Sequence, residues 1–128
     1  MRKAILLFLC IPLVTLFSCI NSNDENLAEE HSTVTTGRFL IADDGSYIII
    51  VPDYGPIVMA NKTDNEDVFD NMQIGDKIKV SYYIIADSYP GQTEIYSCEL
   101  IEKGGFEDIM QDDYAFHYNQ LKELGLVS

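Results

Sequence analysis

Gly75-Asp76-Lys77-Ile78-Lys79-Val80-Ser81-Tyr82-Tyr83-Ile84-Ile85 carries the clearest strand signal in the chain. Its Ile74-Gly75-Asp76 lead-in is a turn, since glycine tolerates positive φ and aspartate can hydrogen-bond nearby backbone. Lys77, Lys79 and Ser81 then point one way while Ile78, Val80 and Tyr82 point the other. That period of two predicts a strand with one face in water and the other on a core. Downstream, Ser88-Tyr89-Pro90-Gly91 turns the chain, and Glu94 to Glu102 returns antiparallel as the last strand.

Upstream the same pattern repeats. Arg38-Phe39-Leu40-Ile41-Ala42 reads as a first strand, closed by the hairpin turn Asp43-Asp44-Gly45. Tyr47 to Val51 is a β-branched run too continuous for a half-exposed strand, so cover on both faces is expected. Pro52-Asp53-Tyr54-Gly55-Pro56 breaks it, and Ile57-Val58-Met59-Ala60 starts another strand. Asn61 to Asn71 is polar and acidic, with Val68 and Phe69 as its apolar pair; a loop or single helical turn pinned by Phe69 is expected. Beyond Gly104-Gly105, residues Phe106, Ile109, Met110, Tyr114, Tyr118, Leu121 and Leu124 recur at helical spacing, and Gly125 is a natural stop. Residues 104–128 are therefore expected to form a short amphipathic helical tail packed on the strands.

Three strands, an acidic insertion and a long hairpin give an all-β domain over residues 34–103. The order is that of an OB-fold, a five-stranded Greek-key barrel. Its usual helix between strands three and four would be vestigial here, at Glu66 to Met72. A small open β-sandwich is the alternative.

At the N-terminus, Arg2 and Lys3 precede an almost wholly apolar run from Ala4 to Phe17, the layout of a secretory signal peptide over residues 1–18. The run is shorter than the roughly 20 apolar residues that span a bilayer, and Pro12 removes a helix hydrogen bond within it. Leu16-Phe17-Ser18-Cys19 closes it and resembles the lipobox of bacterial lipoproteins. That resemblance implies a diacylglycerol on the Cys19 thiol, cleavage before Cys19, and attachment to a membrane through lipid. Each buried methylene of such a chain contributes about 0.8 kcal/mol, and two or more chains give stable anchoring. Residues 19–33 hold little to bury and read as a flexible tether. Asp24-Glu25 within it resembles the acidic export signals behind the lipobox in Bacteroidota lipoproteins, which implies an outer-membrane or cell-surface location.

A second resemblance covers roughly residues 34–110. The turn Asp43-Asp44-Gly45, the run Gly75-Asp76-Lys77-Ile78-Lys79-Val80-Ser81-Tyr82 and the strand through Leu100-Ile101 are similar to the N-terminal OB-fold domain of NigD-like lipoproteins of Bacteroidota. It implies a fold and an envelope location, and brings no enzymatic activity with it.

Charge narrows the partners. Loss of residues 1–18 removes Arg2 and Lys3 from 8 basic residues and none of the 21 acids, so 6 bases face 21 acids and the formal charge moves from -13 to -15. Such a chain is repelled by phosphate backbones, whose capture needs Lys and Arg to displace counterions, and nucleic acid is excluded as a partner. With Cys10 lost and Cys19 lipidated, Cys98 remains alone and reads as a buried, inert small hydrophobe. Alternation would place it on one strand face with Tyr96 and Leu100.

Catalytic patterns are sparse. His31 lies in the tether and His117 in the tail, while nucleophilic catalysis needs a positioned nucleophile, base and orienting partner. There is no nucleophile elbow, phosphate loop or Cys-His zinc spacing. Asp64, Glu66, Asp67 and Asp70 share a loop without the alternating calcium-loop pattern and read as solvated acid. No cofactor or metal is implied. In OB-folds the loops between strands one and two and between strands four and five flank the ligand surface. Here those loops carry Asp43, Asp44 and Tyr89, with Tyr47 and Tyr83 as possible aromatic platforms. The expectation is a non-enzymatic, lipid-anchored binding module for a protein or glycan partner. A small hydrolase acting through Asp43 and Asp44, or an immunity-type or structural surface protein, are the alternatives.

Overall fold

The computed structural model describes residues 32–128; the expected signal peptide, the expected lipid site Cys19 and the expected tether as far as residue 31 lie outside them. In order come β1 (Thr33–Ile41), β2 (Tyr47–Val51), β3 (Gly55–Asn61), β4 (Lys77–Ala86), β5 (Gly91–Glu102), α1 (Phe106–Ile109) and α2 (Asp112–Glu123). The strands close into a barrel in the order β1-β2-β3-β5-β4. All neighbours are antiparallel except β3 and β5, which run parallel from Ile57 beside Gly91 to Asn61 beside Ile95. This is the five-stranded OB-like barrel that the order of elements predicted, with a short C-terminal helix, and not the open sandwich.

Closure depends on β1 serving two neighbours. Thr33 to Arg38 pairs with β4, and Arg38 to Ile41 pairs with β2. Gly37 stands where one partner gives way to the other, and a Cβ there would meet the Ile50 carbonyl oxygen at 2.3 Å. Only glycine lets the two backbones approach that closely. The strand also begins at Thr33, inside the stretch assigned to the tether.

The β-branched run in β2 is covered on both faces, for a specific reason. Ile49 points into the barrel with Phe39, Ile57, Ile78, Val80 and Ile95. Ile48 and Ile50 point outward, where they meet Leu40 of β1 and a second apolar cluster formed by Ile109, Tyr118, Leu121 and Val127. The C-terminal helices therefore supply the other half of a double core. Of the tail's periodic residues, Ile109, Tyr118 and Leu121 are buried, while Phe106, Met110 and Leu124 stay exposed.

No helix forms at Glu66 to Met72; residues 66–71 are turns. Three successive i→i+3 bonds, Val68 to Asn65, Asp70 to Asp67 and Met72 to Phe69, wind the loop without reaching helical length. Side chains substitute for a helical ladder: the Asn61 amide donates to the Asn65 carbonyl at 2.9 Å, and the Thr63 hydroxyl donates to Asn61 Oδ1 at 2.6 Å. Phe69 pins the loop as expected, 5% exposed, its ring 5.6 Å from Phe39 and 4.5 Å from Tyr47.

The register with β4 slips at two points in β5, past Ile101 and past Tyr96. Ser81 pairs with Ser97 and Tyr82 with Ile95, so Tyr96 is an extra residue opposite no partner. A bulge of this kind reverses the inward phase. Ile95 and Cys98 both pack on the barrel core while Tyr96 is exposed, which corrects the single face assigned to Tyr96, Cys98 and Leu100. β4 has its own irregularity: Tyr82 pairs with Ile95 and Ile85 with Thr93, leaving Tyr83 and Ile84 exposed between them.

Burial pushes the Cys98 thiol up to about 11, and its Sγ lies 3.9 Å from Met72 Sδ. At pH 8 a thiol with that value holds about 100-fold less thiolate than a free cysteine. Iodoacetamide followed by peptide mass spectrometry should therefore label Cys98 at least about 100-fold more slowly in the native chain than in guanidinium, since the thiolate is the nucleophile.

The Gly75-Asp76 turn is a rim latch rather than a solvated corner. Gly75 has φ +97°, and a Cβ on it would lie 1.9 Å from the Gly105 carbonyl oxygen. Asp76 has no exposed surface. Its Oδ1 accepts from the Gly104 N–H at 2.9 Å; its Oδ2 accepts from the Gln73 N–H at 2.9 Å and from Lys103 Nζ at 3.0 Å. Burial alone would raise its pKa and is the largest influence, yet the two backbone donors and the Lys103 ammonium together outweigh it and hold the carboxyl below its ordinary value. The Asp76 backbone carbonyl also accepts from the Phe39 N–H at 2.8 Å, so β1, the β3–β4 loop and the exit of β5 meet at this one residue.

Candidate functional site

The first wall of the candidate site is the β1–β2 turn. It is held by Ala42 N–H to Ser46 O at 2.8 Å and by Gly45 N–H to Ala42 O at 3.0 Å. Asp44 Oδ1 accepts from the Ser46 N–H at 2.9 Å. The Ser46 backbone and hydroxyl hold the Asp44 carboxyl below its usual value, so it is ionised at neutral pH. Asp43 works differently. Its N–H donates to the Leu126 carbonyl at 2.8 Å and its Oδ2 accepts from Ser128 Oγ at 2.8 Å, while Tyr118 Oη donates to the Ser128 carbonyl at 2.7 Å. Asp43 thus ties the end of the tail to the turn.

The opposite wall is the β4–β5 turn, where Tyr89-Pro90 is a cis peptide and Ser88 Oγ donates to the Pro90 carbonyl at 2.8 Å. Pro90 and Gln92 face Asp44 and Ser46 across a hollow of about 250 Å³ floored by Ala42, Ile48, Val58 and Leu126. Val58 and Gln92 are register partners across the parallel β3–β5 seam. They also line a second, more open hollow of about 410 Å³, which continues along Ala60, Ile84, Ala86 and Glu94. The two hollows share Val58 and Gln92 and adjoin along the outer face of the seam, a furrow in two parts. The two loops expected to flank a ligand surface do converge on a concave patch.

Of the five ligand residues named from the sequence, Asp44 alone lines the furrow. Tyr47 is partly buried and packs against the barrel core, its ring 5.8 Å from Phe39 and 4.5 Å from Phe69, and it lines neither hollow. Tyr83 is half exposed on the irregular segment of β4 and lines neither hollow. Tyr89, also half exposed, shares a 3.0 Å hydrogen bond with His117 Nδ1. His117 Nε2 lies 3.4 Å from the Pro52 carbonyl, which can only accept. Nε2 therefore carries the hydrogen in the neutral ring, and Nδ1 accepts from the Tyr89 hydroxyl. His117 thus braces two loops.

Residues that sequence reasoning missed are Ser46, Val58, Gln92, Glu94 and Leu126. Alternation does place Val58, Ala60, Gln92 and Glu94 on outward positions of β3 and β5. What no local pattern reveals is that these two strands lie side by side. The tail was also expected merely to pack on the barrel, whereas its Leu126 builds part of the site's floor.

Among the described residues, no group of three or more His, Cys, Asp or Glu is arranged to hold a metal ion, and no helix is long and apolar enough to cross a membrane. No curated protein matches the chain. Residues 22–102 match the model of a family described as protein of unknown function (DUF3221), and the match runs through all five strands, ending on the last residue of β5. The chain belongs to that DUF3221 family.

Proposed function

We propose that this chain is a lipid-anchored cell-envelope lipoprotein whose barrel is a non-enzymatic binding module for a protein or glycan partner. The observation that carries the reading is Leu16-Phe17-Ser18-Cys19 at the close of an apolar leader. The likeness to NigD-like lipoproteins points to the same location, extracytoplasmic and at the outer membrane or cell surface. The furrow between the Asp44 and Pro90 turns supports the binding half of the proposal, because ligand surfaces are concave and largely apolar with a few placed polar groups.

Feeding producing cells an alkyne analogue of palmitate tests the anchor. The wild-type chain is expected to carry the label and sediment with membranes; Cys19→Ala is expected to lose both. An unacylated mature protein, or one in the cytosol with its leader intact, would sink the proposal. For the binding half, purified protein is incubated with envelope proteins and glycans. Turnover of a substrate without stable binding would replace the module with an enzyme.

A further inference from the structure

The furrow has a chemistry that narrows its partner, and this inference rests on the binding-module reading above. Its floor is aliphatic, formed by Ile48, Val58, Ala60, Ala86 and Leu126, with Ile84 beside it 65% exposed. An acid stands toward each end: Asp44 in the first hollow, Glu94 in the second. Glu94 pairs with Lys62 at 3.9 Å, with both side chains more than half exposed, a pair that an incoming cation can displace. Among the described residues no aromatic ring lines the furrow, so a sugar ring finds no flat platform from them. An anionic ligand meets a chain whose formal charge is already -13. A lysine or arginine side chain suits both features, since its alkyl stem lies on apolar surface and its head pairs with a carboxylate.

We infer that the furrow binds a basic stretch of an extended polypeptide, with the stem of one lysine or arginine on Val58 and Leu126 and its cationic head on Asp44. The strand-like shape of the furrow follows from the Val58–Gln92 and Ala60–Glu94 register along which it runs. Successive outward positions on one strand are roughly 6–7 Å apart, the spacing at which alternate side chains of an extended segment recur.

Fluorescence anisotropy on the full-length chain in mild detergent tests this, with a fluorescein-labelled Lys-Val-Lys-Val-Lys-Val peptide as probe. Its Glu-Val twin and neutral chitohexaose serve as comparators. The basic peptide is expected to bind and the twin not to. Asp44→Asn keeps an oxygen to accept the Ser46 N–H and so preserves the turn; it is expected to weaken binding fivefold or more. Asp64→Asn removes the same charge from the acidic loop and is expected to change binding less than twofold. Gln92→Lys places a cation in the furrow and is expected to abolish it. Equal losses from Asp44→Asn and Asp64→Asn would reduce the effect to bulk charge and overturn the inference. So would absence of basic-peptide binding. Binding of chitohexaose in its place, sensitive to Gln92→Lys, would overturn the peptide inference and leave the binding module standing, whereas hydrolysis of either probe would end both.

Discussion

Asp76→Ala is expected to cost about 3–5 kcal/mol, a large share of the 5–15 kcal/mol that holds a domain of this size folded. The loss comes mainly from two backbone donors. Gly104 N–H and Gln73 N–H would be left facing a space where no acceptor remains, at about 1–3 kcal/mol each. Lys103 matters less, because half of its side chain is in water and can be resolvated. The effect also has a pH signature. The folded-state pKa of Asp76 is lowered, so its stabilisation is fully present above the unfolded value near 3.8 and is lost as pH falls through the folded value. Urea unfolding curves of wild type and Asp76→Asn should lie furthest apart at neutral pH and converge in acid. A constant separation across that window would mean that Asp76 contributes packing rather than charge.

Leu121→Ala is expected to cost about 2–5 kcal/mol, the range for emptying a fully buried leucine site. Leu121 has no exposed surface and sits in the outer cluster with Leu40, Ile48 and Ile50. Those three residues belong to strands whose alternate positions form the barrel core, so a cavity outside is transmitted to the inside through β1 and β2. The barrel and α2 should therefore unfold in one transition at lower urea, read by circular dichroism. A variant in which the helix melts first while the strands keep the wild-type midpoint would show that the tail is an accessory.

The sequence made the strands legible where their pattern was set by water on one side and apolar neighbours on the other. Ile78 and Val80 inward with Lys79 outward needed only alternation, and the unbroken Ile48-Ile49-Ile50 run announced cover on both faces. Phe69 stood out because it was nearly alone among acids. Three features stayed hidden for different physical reasons. The phase reversal at Tyr96 shows only in the pairing of β5 with β4, which no alternation within β5 announces. Asp76 reads as a surface turn residue because charged side chains are rarely buried, and its donors come from Gln73 on one side and from Lys103 and Gly104 far along the chain. Tyr47 looked like a ligand platform because a tyrosine beside a loop reads the same whether it faces solvent or packs on core rings such as Phe39 and Phe69. For the site, the two flanking turns were foreseeable, while its floor depends on two strands distant in sequence becoming neighbours.

That junction of β3 with β5 has a kinetic implication. The β1–β2–β3 meander and the β4–β5 hairpin each close through short turns, whereas the β3–β5 and β1–β4 joins that complete the barrel each carry the entropy cost of closing a long loop. The hollows that lie along that seam therefore depend on a long-range join and are absent from any species in which β3 and β5 have not yet met.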